Sequence, residues 1–383
     1  MSRLQGLGLE IKGKGKVDRG KCWRASMLRL GLHFPLTPIP FAPIGRARAQ
    51  ACGRTFGPMR KWLDRYYGRL RTLKANYVLL NLFNLRKLKH ARRMYRKYGI
   101  QRSVLLPISS SDLPRDMNDR PWLDTPEGAA RLPHDLHLQR FDPATREAIL
   151  HWPDNGYLIL RGLFKPDEVA AINAEVDRLI RDKIVDFNFT GRKIMFAFHH
   201  SDVLRKYVHD RRVLDVMAYL LGKRMKVFQS INFLTGSEQA AHSDSIHMTT
   251  YPLGYMTAAW IALEEMTPDN GPLIYHPGSH KLPYLLNDSY DHGGNRFVIG
   301  EDAYAHYEEA VDKAIADGRF ERKEFIAQPG DVLIWHANLL HGGKKMNIPG
   351  ASRKSMVIHC FADDVLCYHE LTQRAALMED HDH

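Results

Sequence analysis

Hydrophobic positions after residue 150 follow two patterns in succession. Apolar residues at spacings of three and four predict amphipathic helices over 165–184 and 212–222. Pro166 and Asp167 are typical of a helix start, and Gly222 of a helix end. Beyond residue 222, short apolar runs separated by turn residues predict strands. These runs lie within 225–234, 256–266, 271–278, 331–337 and 352–362, and an earlier one lies within 156–164.

Helices followed by many short strands indicate an α+β protein built around a β-sandwich or barrel. The stretch 284–324 separates two groups of strands, and the spacing of Tyr304, Tyr307 and Val311 predicts a helix near 302–317. We interpret this insertion as a lid over the functional site, with a plain surface insertion as the alternative.

The first 110 residues follow a different pattern. Residues 1–57 are rich in Gly, Pro and Arg and lack periodicity, which predicts a basic, disordered leader. Residues 58–110 are interpreted as a basic amphipathic helical arm, 111–150 as a linker, 151–370 as the main domain and 371–383 as a tail. The apolar stripe of the arm consists of Trp62, Tyr66, Leu70, Leu73, Tyr77 and Leu80.

Charge divides the chain near the same place. Residues 1–110 hold 25 Lys or Arg and three acids, a net +22, whereas the rest holds 30 Lys or Arg and 40 acids, a net −10. The stripe of the arm can pack on the main domain, or residues 58–98 can lie on an anionic membrane surface. Nucleic acid is a disfavoured partner, because no nucleic-acid module accompanies the arm and the body is acidic. The sequence leaves the oligomeric state open.

The cysteine and hydropathy patterns indicate in which cellular compartment the protein is expected. Four cysteines without a CxxC pair exclude a disulfide scaffold and favour a reducing compartment. No run approaches the roughly 18 consecutive apolar residues of a membrane span. We therefore expect a cytoplasmic protein, with peripheral membrane association as an added possibility through the arm.

Three segments carry candidate metal chemistry. His242 and Asp244, in AHSDSIHM, are two residues apart and would share one face of a strand. DVLIWHANLLHGG offers His336 and His341, and one of them would complete a set of two histidines and one carboxylate, which leaves positions on a bound metal open. Arg353 follows His341 by twelve residues, and its guanidinium can bind a carboxylate.

In this order and spacing, the residues resemble the phytanoyl-CoA dioxygenase family of Fe(II)/2-oxoglutarate oxygenases. The resemblance covers roughly residues 150–365 and includes HSD at 242–244, ALEEMTPDNGPLIYHPGSHK at 262–281 and QPGDVLIWHANLLHGG at 328–343. It implies a double-stranded β-helix, a jelly roll of the cupin type, buttressed by helices. It also implies hydroxylation of an unactivated C–H bond in a small or lipid-linked metabolite, sugar-containing ones included, with release of succinate and CO₂. The alternative is a non-catalytic binding protein that the basic arm docks to an anionic membrane.

The resemblance further implies roles for single residues. His242, Asp244 and His341 would bind Fe(II) and form the catalytic centre that uses O₂. Arg353 would hold the distal carboxylate of the co-substrate 2-oxoglutarate. An acid at position 244 implies hydroxylation, or another oxidation by the same oxidant, since halogenases of this superfamily have a small residue there.

Other residues are implied to contact the co-substrate. Trp260, Gln229 and Asn232 would line its pocket. Some relatives carry a hydroxyl two residues after the distal histidine, where this chain has Gly343, and Ser355 would replace it.

Overall fold

A computed structural model describes residues 73–114, 118–188, 191–295 and 297–378. Its α-helices are α1 (Lys74–Phe83), α2 (Lys89–Lys97), α3 (Pro126–Arg131), α4 (Pro143–Leu150), α5 (Trp152–Asn155), α6 (Pro166–Arg181), α7 (Asp202–Val208), α8 (Arg211–Leu221) and α9 (Ala303–Gly318). Its strands are β1 (Tyr157–Leu160), β2 (Lys193–Met195), β3 (Met225–Phe233), β4 (Thr249–Tyr251), β5 (Met256–Ala262), β6 (Leu273–Tyr275), β7 (Lys323–Glu324), β8 (Val332–His336), β9 (His341–Gly343), β10 (Ser355–Ala362), β11 (Leu366–His369) and β12 (Arg374–Ala375).

The largest sheet has six antiparallel strands in the order β1-β8-β5-β10-β3-β2. Strands β5 and β10 are buried along their whole length, which explains their nearly continuous apolar sequences. Neighbouring residues still point to opposite faces. Ala259 and Ile358 pack in the cluster that contains helices α6 and α8, whereas Trp260 and Val357 belong to a second cluster on the other face.

That second face is covered by a smaller antiparallel sheet with the order β7-β6-β9. Leu273 and Tyr275 of β6 share an apolar cluster with Trp260, Trp335 and Val357 of the large sheet. The candidate site lies between these two sheets, next to this cluster.

The third sheet, β12-β11-β4, packs against the basic helix α2. Met94 and Tyr95 of α2 share an apolar cluster with Leu366 and Tyr368 of β11. The basic face of α2 therefore belongs to a helix whose apolar side is part of the folded body, as the packing interpretation of the arm expects.

Helix α1 has the reverse arrangement. Its buried residues are Lys74, Tyr77 and Asn81, whereas Leu82 and Phe83 are exposed. Of the predicted stripe, Tyr77 is buried, Leu80 is partly buried and Leu73 is exposed. Its other members, Trp62, Tyr66 and Leu70, lie outside the described residues. Within the described ranges, no helix combines the length and apolar character needed to cross a membrane.

The mixed helix and sheet composition confirms the predicted α+β class. Helices α6, α8 and α9 coincide with the three predicted helices, and β1, β3, β5, β6, β8 and β10 coincide with the six predicted strand regions.

Two segments differ from the expected domain layout. Residues 111–150, expected as a linker, contain α3 and α4, and Leu123, Leu132 and Ile149 join the main apolar core. Residues 371–378, expected within a tail, contain β12. Helices of six to eight residues are too short to show a clear period in the sequence. The predicted leader at 1–57 and residues 379–383 lie outside the described part of the chain.

Candidate active site

His242 and His341 are held side by side by their own backbones. The amide of each residue donates a hydrogen bond to the carbonyl of the other, both at 2.9 Å. This isolated antiparallel bridge extends the pairing of strand β9. It brings the two imidazole rings to 4.5 Å between centroids.

Asp244 completes the group from the start of a short 3₁₀ turn, Asp244–Ile246. Its Oδ1 lies 3.7 Å from Nε2 of His341 and 4.0 Å from Nε2 of His242. One ligand atom from each of the three residues lies within 4.8 Å of the others, and all three residues are buried. This arrangement can hold one metal ion.

The tautomers of both histidines suit a metal. Nδ1 of His242 donates to the carbonyl of Ala240 at 2.9 Å, and Nδ1 of His341 donates to that of Leu339 at 3.0 Å. Because a carbonyl only accepts, each Nδ1 carries the hydrogen and each Nε2 keeps a lone pair. Both lone pairs are thus on the side of Asp244.

Electrostatics keep these ligands ready to bind a cation. Burial, reinforced by His341, lowers the pKa of His242 to about 3, so its ring is neutral near pH 7. Burial acts to raise the pKa of Asp244, but the neighbouring rings and a hydrogen bond from Trp335 outweigh it and hold that pKa below the usual range. Nε1 of Trp335 donates to Oδ2 of Asp244 at 2.8 Å, which leaves Oδ1 facing the histidines.

Arg353 is a buried cation without an acidic partner in the described part of the chain. Its Nη1 donates to Oγ of Ser355 at 3.0 Å, and its Nε has no hydrogen-bond partner. Glu264 influences it electrostatically, but that carboxylate bonds to Ser352 and to the amide of Lys354. Burial lowers the pKa of Arg353 to about 10, so the guanidinium stays charged near neutral pH.

The metal-binding group and Arg353 share one small cavity of about 60 Å³. The predicted pocket residues Trp260 and Gln229 line it, and the guanidinium of Arg353 lies 5.3 Å from the ring centre of Trp260. Ser355 acts on the cavity through Arg353. The remaining lining includes Lys193, Ile231, Phe233, Gln239, His247, Trp335, Val357 and His359.

The prediction for Asn232 requires a correction. Gln229, Ile231 and Phe233 of β3 line the cavity, and Asn232 does not. Successive residues of a strand point to opposite faces, so Asn232 points away from the cavity. Its side chain is buried, and neither amide atom has a hydrogen-bond partner.

Besides Trp335, the polar cavity residues Lys193, Gln239 and His359 were not predicted from the sequence. Lys193 donates to Oε1 of Gln239 at 2.9 Å, and the Gln239 amide lies 3.3 Å from Nε2 of His242. Burial lowers the pKa of Lys193 to about 8. His359 places Nε2 3.7 Å from Oδ2 of Asp244. Its even spacing from Arg353, which lies just before β10, was an available signal, whereas the three-residue strand that carries Lys193 gives none.

His336 is not part of this group. It follows Trp335 in β8 and therefore points to the other face of the sheet, where its Nε2 lies 3.1 Å from Oδ2 of Asp124. Its Nδ1 accepts from the amide of Asn338 at 3.0 Å, which places its hydrogen on Nε2. The alternative that His336 is the third ligand is thus wrong for this geometry.

Helix α9, in the predicted lid, touches the loop between the first two ligands. The hydroxyl of Tyr307 accepts a hydrogen bond from the amide of Ser243 at 2.9 Å. The hydroxyl of Tyr304 lies 3.4 Å from the amide nitrogen of Gln239. The helix therefore lies against the cavity rather than on a remote surface.

Comparisons with known proteins agree in pointing to one group of enzymes. The sequence model described as "Phytanoyl-CoA dioxygenase (PhyH)" matches residues 152–355. The ectoine dioxygenase of Stutzerimonas stutzeri is 27% identical over 253 residues, which are 58% of this chain and 79% of the relative. The peroxisomal phytanoyl-CoA dioxygenase of Mus musculus is 21% identical over 249 residues, 58% of this chain and 70% of the relative.

Solved structures that match part of this chain include EctD from S. alaskensis with 2-oxoglutarate and 5-hydroxyectoine. It has a TM-score of 0.46 and 22% identity, and the match covers 58% of this chain and 78% of that one. The carbocyclase SnoK from nogalamycin biosynthesis has a TM-score of 0.48 and 18% identity, with 61% and 89% coverage.

Proposed function

Because this chain belongs to the phytanoyl-CoA dioxygenase family and is an Fe(II)/2-oxoglutarate-dependent dioxygenase, we propose that it hydroxylates an unactivated C–H bond of a small or lipid-linked metabolite. Sugar-containing metabolites belong to this class. One oxygen atom of O₂ would enter the product and the other would enter succinate, which forms from 2-oxoglutarate together with CO₂. The observation that carries the proposal is the pairing of a three-residue metal site with a buried, acid-free guanidinium in one cavity.

We propose that His242, Asp244 and His341 hold the iron. Two imidazoles and one carboxylate on one side of a metal leave positions open for a co-substrate and O₂. Bound iron would supply the activation of O₂ that is coupled to decarboxylation of 2-oxoglutarate. The two Nδ1–H groups and Trp335 fix the orientation of the three ligands before any metal arrives.

Arg353 would bind the distal carboxylate of 2-oxoglutarate. A charge-assisted pair with a carboxylate suits a guanidinium that is buried and lacks an acid. Ser355 and the rings of Trp260 and Phe233 support its orientation, with the ring centres 5.3 and 5.4 Å from the guanidinium carbon. Gln229 remains a proposed contact, whereas Asn232 is no longer one because it faces away.

The carboxylate at position 244 supports hydroxylation. A side chain that occupies the third ligand place leaves no room there for a halide, and Asp244 is held in that place by Trp335. The same ligand set would serve another oxidation by the same oxidant, and product analysis separates these outcomes.

A turnover assay tests the proposal. Full-length protein, Fe(II), ascorbate and 2-oxoglutarate are incubated with a metabolite extract, and succinate and products with an added oxygen atom are measured by mass spectrometry. Wild type should form both, and Asp244→Ala should form neither. Asp202→Ala is the matched control, because its side chain is 93% exposed and lies on α7. Two results would overturn the proposal. One is equal succinate release by wild type and Asp244→Ala, and the other is no succinate release by wild type with any metabolite extract.

We propose the jelly roll as the finer description of the fold. Its support is the pair of antiparallel sheets that enclose the cavity, together with the bridges His242–His341 and Met266–Ala327 at their margins. The proposed catalytic domain comprises 151–370 together with Leu123, Leu132, Ile149 and strand β12, which join its apolar clusters and sheets, and 284–324 is its proposed lid. An experimental structure in which the two sheets do not face each other would contradict this description.

Peripheral contact with an anionic membrane is a separate proposal for the arm. Leu82 and Phe83 are exposed at the end of α1, and Arg86, Lys87 and Lys89 follow within six residues of Phe83. Apolar side chains next to several cations suit an anionic lipid surface.

Co-sedimentation of the full chain with vesicles tests this second proposal. Anionic vesicles should retain wild type, and Phe83→Ser should reduce the bound fraction. Leu136→Ser is the matched control, because Leu136 is 84% exposed and Phe83 is 86% exposed. Equal retention by anionic and neutral vesicles would remove the membrane contact and leave the enzyme proposal untouched.

A further inference from the structure

A second buried guanidinium lies outside the co-substrate cavity. Arg374, on β12, is 8% exposed, and its Nε has no hydrogen-bond partner. Its guanidinium carbon lies 4.9 Å from the ring centre of Tyr77 on α1. Burial lowers its pKa, and no carboxylate of the described residues opposes that effect.

Glu370 is the one acid between residues 366 and 375 of the β11–β12 hairpin, and its carboxylate bonds to other groups. Glu370 accepts hydrogen bonds from the amide and hydroxyl of Ser110 and from the amide of Asn287. Its carboxylate therefore has its own set of donors, and the charge of Arg374 stays without a neutralising partner among the described residues.

His369 places a second unpaired donor beside Arg374. The two residues are directly opposite each other in the β11–β12 pair. Nδ1 of His369 accepts from the amide of Thr372 at 3.3 Å, so the neutral ring carries its hydrogen on Nε2. That buried Nε2 has no acceptor.

His247 connects this pair with the metal site. Its ring centroid lies 5.4 Å from that of His369 and 5.6 Å from that of His242. Both of its ring nitrogens are buried and have no hydrogen-bond partner. His247 also lines the metal cavity, so a row of unpaired polar groups leads from the ligand His242 to Arg374.

These groups define the chemistry of a missing partner. Buried polar atoms in folded proteins are nearly always paired, and a set of unpaired ones in one row points to a bound molecule. Arg374 offers a positive charge and an unpaired Nε–H, and His369 offers an unpaired Nε2–H. No side chain of the described residues accepts a hydrogen bond from either group. Water could satisfy the donors, but only an anion also neutralises the guanidinium.

This anion differs from 2-oxoglutarate. Arg353 lies just before β10 in the large sheet, whereas Arg374 lies on β12 in the sheet β12-β11-β4. Arg353 lines the metal cavity, and Arg374 does not. A single co-substrate already bound at Arg353 leaves Arg374 for the molecule that is oxidised.

We propose that the primary substrate carries a carboxylate or a phosphate that Arg374 binds, with His369 and His247 bonding to polar atoms of the substrate between that anion and the metal. This inference rests on the proposed hydroxylase function and specifies its substrate class. The inward polar face of α1, with Tyr77 over Arg374, forms the outer wall of the subsite.

Probe binding tests the anion site directly. Full-length protein is loaded anaerobically with Fe(II) and saturating 2-oxoglutarate, so that Arg353 is occupied. Melting temperatures are measured with acetate, inorganic phosphate or neutral acetamide at constant ionic strength. Acetate or phosphate should raise the melting temperature in a saturable way, and acetamide should not. The stronger of the two anions identifies which group the substrate carries.

Variants assign the effect to Arg374. Arg374→Met should lose the anion-dependent shift, and Arg374→Lys should keep part of it. Arg181→Met, with a side chain that is 69% exposed, should behave as wild type. Calorimetric binding of 2-oxoglutarate shows that each variant is folded. An equal shift with acetamide, or an unchanged anion shift in Arg374→Met, would overturn the proposal.

Turnover with fractionated extract provides the second measurement. Anion-retained fractions should stimulate succinate formation, and Arg374→Met should need at least tenfold more of the active fraction for half-maximal stimulation. Stimulation confined to unretained fractions would contradict the anionic substrate. No stimulation by any fraction would count against the hydroxylase proposal, while the melting shifts decide the anion site independently.

Discussion

His242 and His341 exchange two backbone hydrogen bonds of 2.9 Å, so the polypeptide itself sets the spacing of two metal ligands that are 99 positions apart in the sequence. A bridge of this kind fixes the main chain, and the Nδ1–H bonds to Ala240 and Leu339 then fix the rings. The site is therefore organised before metal binding.

Removing the metal should lower the free energy of unfolding without unfolding the protein, because only the stabilisation by metal binding is lost. Fe(II) at about 100 times its dissociation constant should add about 2.7 kcal/mol to the free energy of unfolding, because it binds the folded state. Anaerobic denaturant titrations with and without chelator measure this difference. His341→Ala should not respond to Fe(II), whereas His137→Ala, an exposed histidine, should respond as wild type. A metal response that persists in His341→Ala would contradict the ligand set.

Trp335 should matter through one hydrogen bond. Trp335→Phe keeps most of the ring but removes the Nε1–H that orients Asp244. Losing such a supporting contact typically lowers metal affinity or activity by about 10- to 100-fold. Iron titration and succinate release measure both quantities. Trp152→Phe is a matched control, because Trp152 is fully buried and its Nε1 has no partner. Equal losses in the two variants would show that Trp335 acts by packing alone.

Arg353→Met should weaken 2-oxoglutarate binding selectively. A hydrogen bond to a charged group contributes about 1.5–3 kcal/mol, so the dissociation constant should rise about 10- to 100-fold. Calorimetry with the Fe(II)-loaded protein measures it. Arg211→Met, with an 80% exposed side chain, should bind 2-oxoglutarate as wild type does. Unchanged affinity in Arg353→Met would place the co-substrate elsewhere.

His90 on α2 should make the fold sensitive to acid. Its Nε2 donates to the carbonyl of Val365 at 2.8 Å, and burial lowers its pKa to about 4. As the pH falls from 6.5 towards 4, His90 binds a proton in the unfolded chain but stays neutral in the folded chain. The free energy of unfolding should therefore decrease over this range, by at most about 3 kcal/mol from this residue.

A substitution isolates the contribution of His90. His90→Gln should lose less stability than wild type when the pH is lowered from 7 to 4.5 in denaturant titrations. His134→Gln, at an exposed position, should follow the wild-type curve. Parallel curves for wild type and His90→Gln would contradict the assigned pKa shift.

Strands of the large sheet and the metal-binding group could both be predicted from the spacing of residues in the sequence. Apolar runs identified β5, β8 and β10, because these strands are buried on both faces. His242 and Asp244 stood out through their spacing of two residues, and the structure brings them together, although Asp244 begins a 3₁₀ turn instead of continuing the predicted strand.

Strand parity explains two of the misassignments. Asn232 and Gln229 were treated alike, although an odd number of positions separates them and they cannot share a face of regular strand. His359 shares its face with Arg353, yet a buried histidine in an apolar run gives no other sign of function.

Tertiary contacts explain the rest. Helix α1 buries Lys74, Tyr77 and Asn81 and exposes Phe83, so hydrophobic periodicity assigns its inner face incorrectly. Contacts with Arg374 and Asn295, which are distant in sequence, explain this polar inner face: Tyr77 lies over Arg374, and Lys74 donates to the carbonyl of Asn295. Local pattern cannot reveal a polar interior that a helix and a hairpin form together.

The hydroxyl of Tyr307 ties helix α9 to the amide of Ser243, between His242 and Asp244. If α9 is the lid, its departure would release that amide and loosen the ligand loop in the same movement. With the lid open, the enzyme would then oxidise 2-oxoglutarate slowly. This limits turnover of the co-substrate when no metabolite is bound and protects nearby side chains from oxidation by the enzyme itself.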